Sequence, residues 1–265
     1  MKKKILVCLL IAVMAISLLA GCSTKDENVL KVATNAEFPP WEFLEDGKVV
    51  GFDADLIELI AEKLGMKVKF ENMEFDSVIA SISSGTCDVA IAGLTINEKR
   101  SKSVDFSTPY FKGASQILIV KQDDEIFTGT SKEELDEQLK NKTIGVCQGF
   151  TGVSYANGDE DWGFKAIEGA DVKIYDNVSL AAEDLKNGTL DVIIMDDTTA
   201  FEVVAADNYK DVLKTINIAL TTESYGIAVK KGNKDLKEKI DNALKELEEE
   251  GKIEELFKKW KIDEE

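Results

Sequence analysis

The chain has 265 residues, of which 44% are hydrophobic and 31% charged, with 18 Gly and 3 Pro; this composition supports a buried core and excludes disordered or fibrous scaffolds. Its 32 basic residues face 50 acidic ones, and a formal charge of −18 repels nucleic-acid phosphates and anionic lipid head groups. There is no histidine, so Ser-His-Asp and Cys-His catalysis, imidazole metal ligation and histidine pH switching are excluded together.

In chain order, Lys2-Lys3-Lys4, the apolar run Ile5 to Leu19 and Ala20-Gly21-Cys22 have the layout of an export leader. The apolar run is shorter than the roughly 20 residues that span a bilayer. Leu19-Ala20-Gly21-Cys22 resembles a lipobox, which predicts residues 1–21 as signal peptide and Cys22 as a lipidated N-terminus. Two acyl chains give stable anchoring. Removal of the leader leaves 29 basic residues and a charge of −21, so the lipid and not electrostatics holds the protein at the membrane. Residues 22–28 form a polar tether that reaches about 20 Å when extended.

Val29-Leu30-Lys31-Val32-Ala33 reads as an opening strand. Leu56, Ile57, Ile60, Ala61 and Leu64 form a helical stripe ending at Gly65, with Asp53 and Asp55 favouring its N-terminal dipole. Val68-Lys69-Phe70 completes a βαβ unit. Then a pattern appears twice, at Phe75 to Gly93 and at Val178 to Asp196: helical apolar spacing, a glycine, Thr-x-Asp-Val, and an apolar run without alternation. Such runs are strands buried on both faces of a mostly parallel sheet. The body is therefore two similar α/β halves, the second opened by Lys142-Thr143-Ile144-Gly145-Val146. The tail from Asn233 to Ile262 reads as two amphipathic helices broken at Gly251, and its acidic run 246–250 as a solvated face. Of the four cysteines, Cys8 leaves with the leader and Cys22 carries lipid; Cys87 and Cys147 fall in different halves and are expected free, packed as small apolar groups.

Ligands of open α/β sheets bind beyond the C-terminal ends of the strands. There, Pro39-Pro40 stiffens a loop that presents Phe38 for stacking, with Trp41 and Phe43 assigned to the core. Thr95-x-x-Glu98 matches a capping box, placing a helix N-terminus and Arg100, the single arginine, at the crevice. A guanidinium fork grips a carboxylate in a way an ammonium does not. In the second half, Gln148-Gly149-Phe150-Thr151-Gly152 forms a small-residue turn, and Met195-Asp196-Asp197 puts an acid at a strand end, Asp197 being the expected helix cap. A carboxylate seat on one half and an ammonium acceptor on the other suit an α-amino acid.

From Leu30 to Ile262 the motifs Ala33 to Phe43, Gly51 to Leu56, Gly93 to Arg100 and Asp105 to Tyr110 resemble, in that order, the family 3 extracellular solute-binding proteins. These are the amino-acid receptors of ABC importers, and their partners are an ABC permease and its ATPase. The resemblance implies a two-lobed clamshell of the type II periplasmic-binding fold, monomeric and without cofactor or metal, with hinges near Gly113–Gln116 and Thr222–Tyr225. Lobe 1 is then 29–113 with 224–265, and lobe 2 is 114–223. It also implies that Arg100, Thr95 and Thr151 meet the ligand carboxylate, that Asp196 and the Gly93 carbonyl meet the ammonium, and that Phe38 and Phe75 flank the side chain. Asn35 stands where relatives for glutamine or basic amino acids commonly carry Asp, and Phe150 where many carry Thr; the lost charge favours a neutral polar ligand over a cationic one and both over glutamate or aspartate. The rival class is an enzyme, since cyclohexadienyl dehydratases share the fold and use a cleft carboxylate. A sensor ectodomain would need a transmembrane segment after the domain, which the sequence through Glu265 does not contain.

Overall fold

The two apolar runs without alternation become central strands of two separate sheets. Residues 28–262 are described by the computed structural model; the leader, Cys22 and the tether through Glu27 lie outside the described residues. The first sheet has the strand order Lys67–Asn72, Val29–Thr34, Val89–Ala90, Ala228–Lys230, Val104–Phe106. In the second the order is Asp171–Tyr175, Thr143–Cys147, Val192–Asp196, Gln116–Lys121, Leu213–Ile216. In each, the fourth strand runs antiparallel to both neighbours and the first three are mutually parallel. The sequence repeat is thus a repeat of topology: mixed α/β with one reversed strand per sheet.

Both repeated helices, Phe75–Ser84 and Val178–Asn187, end at a glycine in the left-handed region, Gly85 at φ 79° and Gly188 at φ 81°. A Cβ there would be strained, which is why the Gly-Thr-x-Asp spacing recurs. The next residues tie each turn to its sheet: Asp88 and Asp191 accept from the backbone N–H of Lys31 and Thr143, at 3.1 and 2.8 Å. The tail forms helices Lys234–Glu249 and Lys252–Trp260, with Gly251 at φ 72° between them. Their buried stripe of Ile240, Leu244, Leu247, Ile253 and Phe257 packs with Phe52, Leu56 and Ile60 of helix Phe52–Lys63 in the core of the first sheet.

Two antiparallel strands, Phe111–Ala114 and Glu223–Tyr225, lie between the sheets where the chain passes out to the second and returns to the first. An aromatic cluster packs beside them: Trp41 lies 5.1 Å from Tyr225 and 4.7 Å from Phe111, ring centre to ring centre. Trp41 is fully buried, as its core assignment requires, and Phe43 packs on Trp260 at 5.8 Å. Cys87 and Cys147 are buried and unbridged, in separate apolar clusters.

Two local expectations are corrected. The helix at 98–101 is capped by Asn97, whose Oδ1 accepts from the Arg100 N–H at 2.8 Å, and not by Thr95, whose hydroxyl is committed elsewhere. Helix Asp197–Ala205 begins one residue early, with Asp196 at the cap position; Asp197 instead accepts from the Ser115 hydroxyl at 2.8 Å. Its other oxygen, Oδ1, accepts from the Thr198 N–H at 2.6 Å, so Asp197 serves the first turn from inside it.

Candidate ligand-binding cleft

Loops leaving four strands converge between the sheets. From the first sheet come Phe38, after Val29–Thr34, and Gly93, Thr95 and Arg100, after Val89–Ala90; from the second come Thr151, after Thr143–Cys147, and Asp196, ending Val192–Asp196. Together with Phe75, Ala92 and Phe150 these residues line one closed-down cavity of about 10 Å³, room for about one water. Seven of the eight sequence-derived site residues are brought together. Asn35 is not among them: it is buried and its Nδ2 donates to the Met73 carbonyl at 3.0 Å.

Gly93 forms the floor under Phe38. At φ 51°, a Cβ on it would lie 2.5 Å from the Phe38 ring, so only glycine permits this approach. Its N–H donates at 2.8 Å to Asp53 Oδ2, which also accepts from the Tyr110 hydroxyl at 2.9 Å. Burial pushes the Asp53 carboxyl up to about 7 against the opposing pull of these two bonds. Beside it the fully enclosed Glu42 is raised well above the carboxylate range, by burial and by Asp53. Two carboxyls in one apolar site hold a proton at neutral pH because both cannot ionise.

Arg100 is fixed by two carbonyls, Nη1 donating to Thr95 O at 3.0 Å and Nη2 to Gly149 O at 3.3 Å across the cleft. Its guanidinium carbon sits 5.3 Å from the centre of the Phe75 ring and 5.6 Å from that of Trp162. Arg100 is half-buried, and burial draws its pKa below the usual value, with Glu223 and Asp196 opposing. Asp196 is 4% exposed and accepts from the Tyr225 hydroxyl at 2.6 Å. Burial first, and then Glu223, raise it to about 7. The three phenylalanines meet edge to face or tilted, Phe150 lying 5.2 Å from Phe38 and 4.7 Å from Phe75.

Further contacts bridge the two sides. Gln148 Nε2 donates to Asp76 at 2.6 Å, the Trp41 indole to Thr198 at 2.8 Å, and the Thr199 hydroxyl to the Pro39 carbonyl at 2.9 Å. Lys99–Asp159 and Lys102–Asp161 add ion pairs between the two sides, with both ammonium groups exposed and Asp159 largely buried. Sequence reasoning missed Glu223, Gln116, Tyr225 and Trp162. Glu223 and Tyr225 lay inside the expected hinge, and a buried acid beside Thr221-Thr222 was the available signal; Trp162 sits in a short acidic turn, Glu160–Trp162, that carries no periodicity.

Residues 30–263 match the model of the bacterial extracellular solute-binding proteins, family 3. The chain belongs to that family. It is 33% identical over 264 residues to the L-cystine-binding protein TcyJ of Escherichia coli (strain K12), covering 95% of this chain and 94% of the relative. Among solved structures it is similar to an ancestral arginine-binding protein bound to arginine, with 40% identity, TM-score 0.77, and coverage of 88% of this chain and 98% of the other. The same named protein bound to glutamine gives TM-score 0.74 at 40% identity, with coverage of 88% and 97%. The two-sheet architecture is that of the type II periplasmic-binding fold, and family membership implies an exported solute-binding protein.

Proposed function

We propose that this chain is the extracellular receptor of an ABC importer, capturing an α-amino acid with a cationic side chain and not converting it. One observation carries the reading: a fixed guanidinium and a buried acid, Arg100 and Asp196, line the same cavity from opposite sheets. The carboxylate goes to the open side of the Arg100 fork and the ammonium to Asp196 and the Gly93 carbonyl. The lobes of this reading are 29–113 with 224–265 and 114–223, hinged at the paired strands Phe111–Ala114 and Glu223–Tyr225. The arginine-bound relative supports the cationic ligand class, and the naming of these relatives as binding proteins supports the absence of catalysis.

The side-chain preference follows from charge. Asn35 is turned to Met73, so its neutrality does not decide the matter. The buried acids beside the cavity, Asp196 and Glu223, outnumber the one enclosed cation, Arg100. At its mouth, partial burial and the nearby Glu74 and Asp176 raise the Glu37 carboxyl, so like charges from both sides crowd together there. Closure brings them together, and a cation between them relieves the repulsion. Aromatic walls of Phe38, Phe75 and Phe150 favour the same cation. In titration calorimetry against the common amino acids and L-cystine, L-arginine, L-lysine or L-histidine is expected to bind at least about tenfold, or 1.4 kcal/mol, tighter than L-glutamine. Glu37→Gln should narrow that gap. Tightest binding of L-glutamine, unaffected by Glu37→Gln, restores the neutral polar ligand.

The anchoring belongs to the same proposal. A leader ending at Gly21 makes Cys22 the mature, diacylated N-terminus on the outer face of the cell membrane. Intact mass of membrane-extracted protein should give a chain starting at lipidated Cys22, and Cys22→Ser should release it; retention of Met1 refutes the assignment.

A further inference from the structure

Glu223 is 6% exposed, and its two oxygens are committed in opposite directions. Oε1 accepts from Gln116 Nε2 at 3.2 Å and from the Thr221 hydroxyl at 2.7 Å, both close to the hinge. Oε2 accepts from the Thr95 hydroxyl at 2.6 Å and the Thr151 hydroxyl at 2.7 Å. Those two threonines leave strands of different sheets and line the cavity, with their hydroxyl oxygens 3.5 Å apart.

We propose that Glu223 is a positioning residue for the ligand cleft, whose single oxygen ties Thr95 of one lobe to Thr151 of the other and holds the cleft closed from the hinge. The inference rests on the reading of this cleft as the ligand site. Bonds from a hydroxyl to a carboxylate are charge-assisted and stronger than neutral ones. Thr95 is tied to the hinge strand by its backbone bridge to Tyr225, so the Thr151 bond is the one made only when the loop of the second lobe reaches Glu223; it counts towards the closed state alone and shifts the population to it. A threonine hydroxyl has one proton. With both protons committed to Glu223, Thr95 and Thr151 present lone pairs to the cavity. The hydroxyls then accept from the ligand ammonium, and the carboxylate is left to Arg100 and to backbone N–H groups. In this proposal the two hydroxyls, which the family resemblance assigns to the ligand carboxylate, are reassigned to the ammonium.

The test compares wild type, Glu223→Ala, Thr151→Val and the double variant, each checked for folding by circular dichroism. X-ray scattering of the ligand-free proteins is expected to show a compact population in the wild type that Glu223→Ala loses. Calorimetry with L-arginine and L-glutamine as probes should show Thr151→Val costing about tenfold in affinity in the wild type and less than about twofold in the Glu223→Ala background. A residue that merely supports the fold would give additive losses. Additivity, or unchanged ligand-free compactness in Glu223→Ala, overturns the proposal. If Glu223→Ala does not fold, Glu223→Gln, which keeps the volume but not four accepting contacts, takes its place with the same criteria. Failure of both probes to bind the wild type would count against the proposed ligand class, while the scattering still decides the role of Glu223.

Discussion

Arg100→Lys is expected to lower affinity for L-arginine by roughly 30-fold to several thousand-fold, the range of about 2–5 kcal/mol seen when a buried charged contact is broken. The formal charge survives the substitution; the geometry does not. The guanidinium has five N–H donors in a plane, and here two of its nitrogens are pinned by the carbonyls of Thr95 and Gly149. Pinning aims the remaining donors at the cavity before any ligand arrives, which lowers the ordering cost of binding. The flat group also fits between the Phe75 and Trp162 rings. A lysine ammonium is a compact, strongly hydrated head that reaches one carbonyl or the ligand, but not both. Calorimetry on the folded variant measures the loss directly. A change of less than about threefold, near 0.7 kcal/mol, would remove Arg100 from the binding machinery.

The second large effect is in pH. Without ligand, the Asp196 carboxyl is pushed up to about 7 by burial and by Glu223. An ammonium bound against it favours the charged form, so the pKa falls on binding. Protons and ligand therefore compete. Well above pH 7 Asp196 is already ionised and affinity is flat. Below pH 7 binding must expel a proton, so affinity for L-arginine should fall by about tenfold per pH unit until the lowered pKa of the complex is reached. Asp53 is raised into the same range, but its contacts are to Gly93 and Tyr110, not to the cavity. Asp196→Asn should therefore flatten the profile and cost roughly 30-fold or more at pH 8, since a neutral amide replaces a paired charge. An Asp196→Asn protein that keeps the full slope would place the titrating group elsewhere.

Much of this molecule was legible in the sequence because its repeated signals are local. The Gly-Thr-x-Asp turn, the unalternating apolar run and the amphipathic tail each depend on residues within one element, and each appears at the expected place. So do the residues just beyond strand ends, since topology alone delivers Phe38, Gly93, Arg100, Thr151 and Asp196 to one crevice. What was not legible depends on long-range contact. The commitment of Thr95 to Glu223 joins residues 128 apart, and no short window of sequence contains that choice. The same bond explains why the Thr95-to-Glu98 capping pattern was misleading. Asn35 failed as a cavity residue for a similar reason: its amide found the Met73 carbonyl, 38 residues on. Trp162 closes over Arg100 from a turn whose sequence has no pattern to read.

The position of the reversed strand in the first sheet also dictates an order of assembly. Val89–Ala90 and Val104–Phe106 are not bonded to each other; Ala228–Lys230 stands between them and pairs with both. The second sheet draws all its strands from the continuous stretch 116–216. As the chain emerges from a ribosome or a translocation pore, the second sheet can close while the first still lacks its fourth strand. The edge of Val89–Ala90 stays unpaired until more than a hundred later residues have appeared, a non-local closure that is intrinsically slow. The last strand and the tail helices are therefore the step that completes the first sheet and, with it, the cleft.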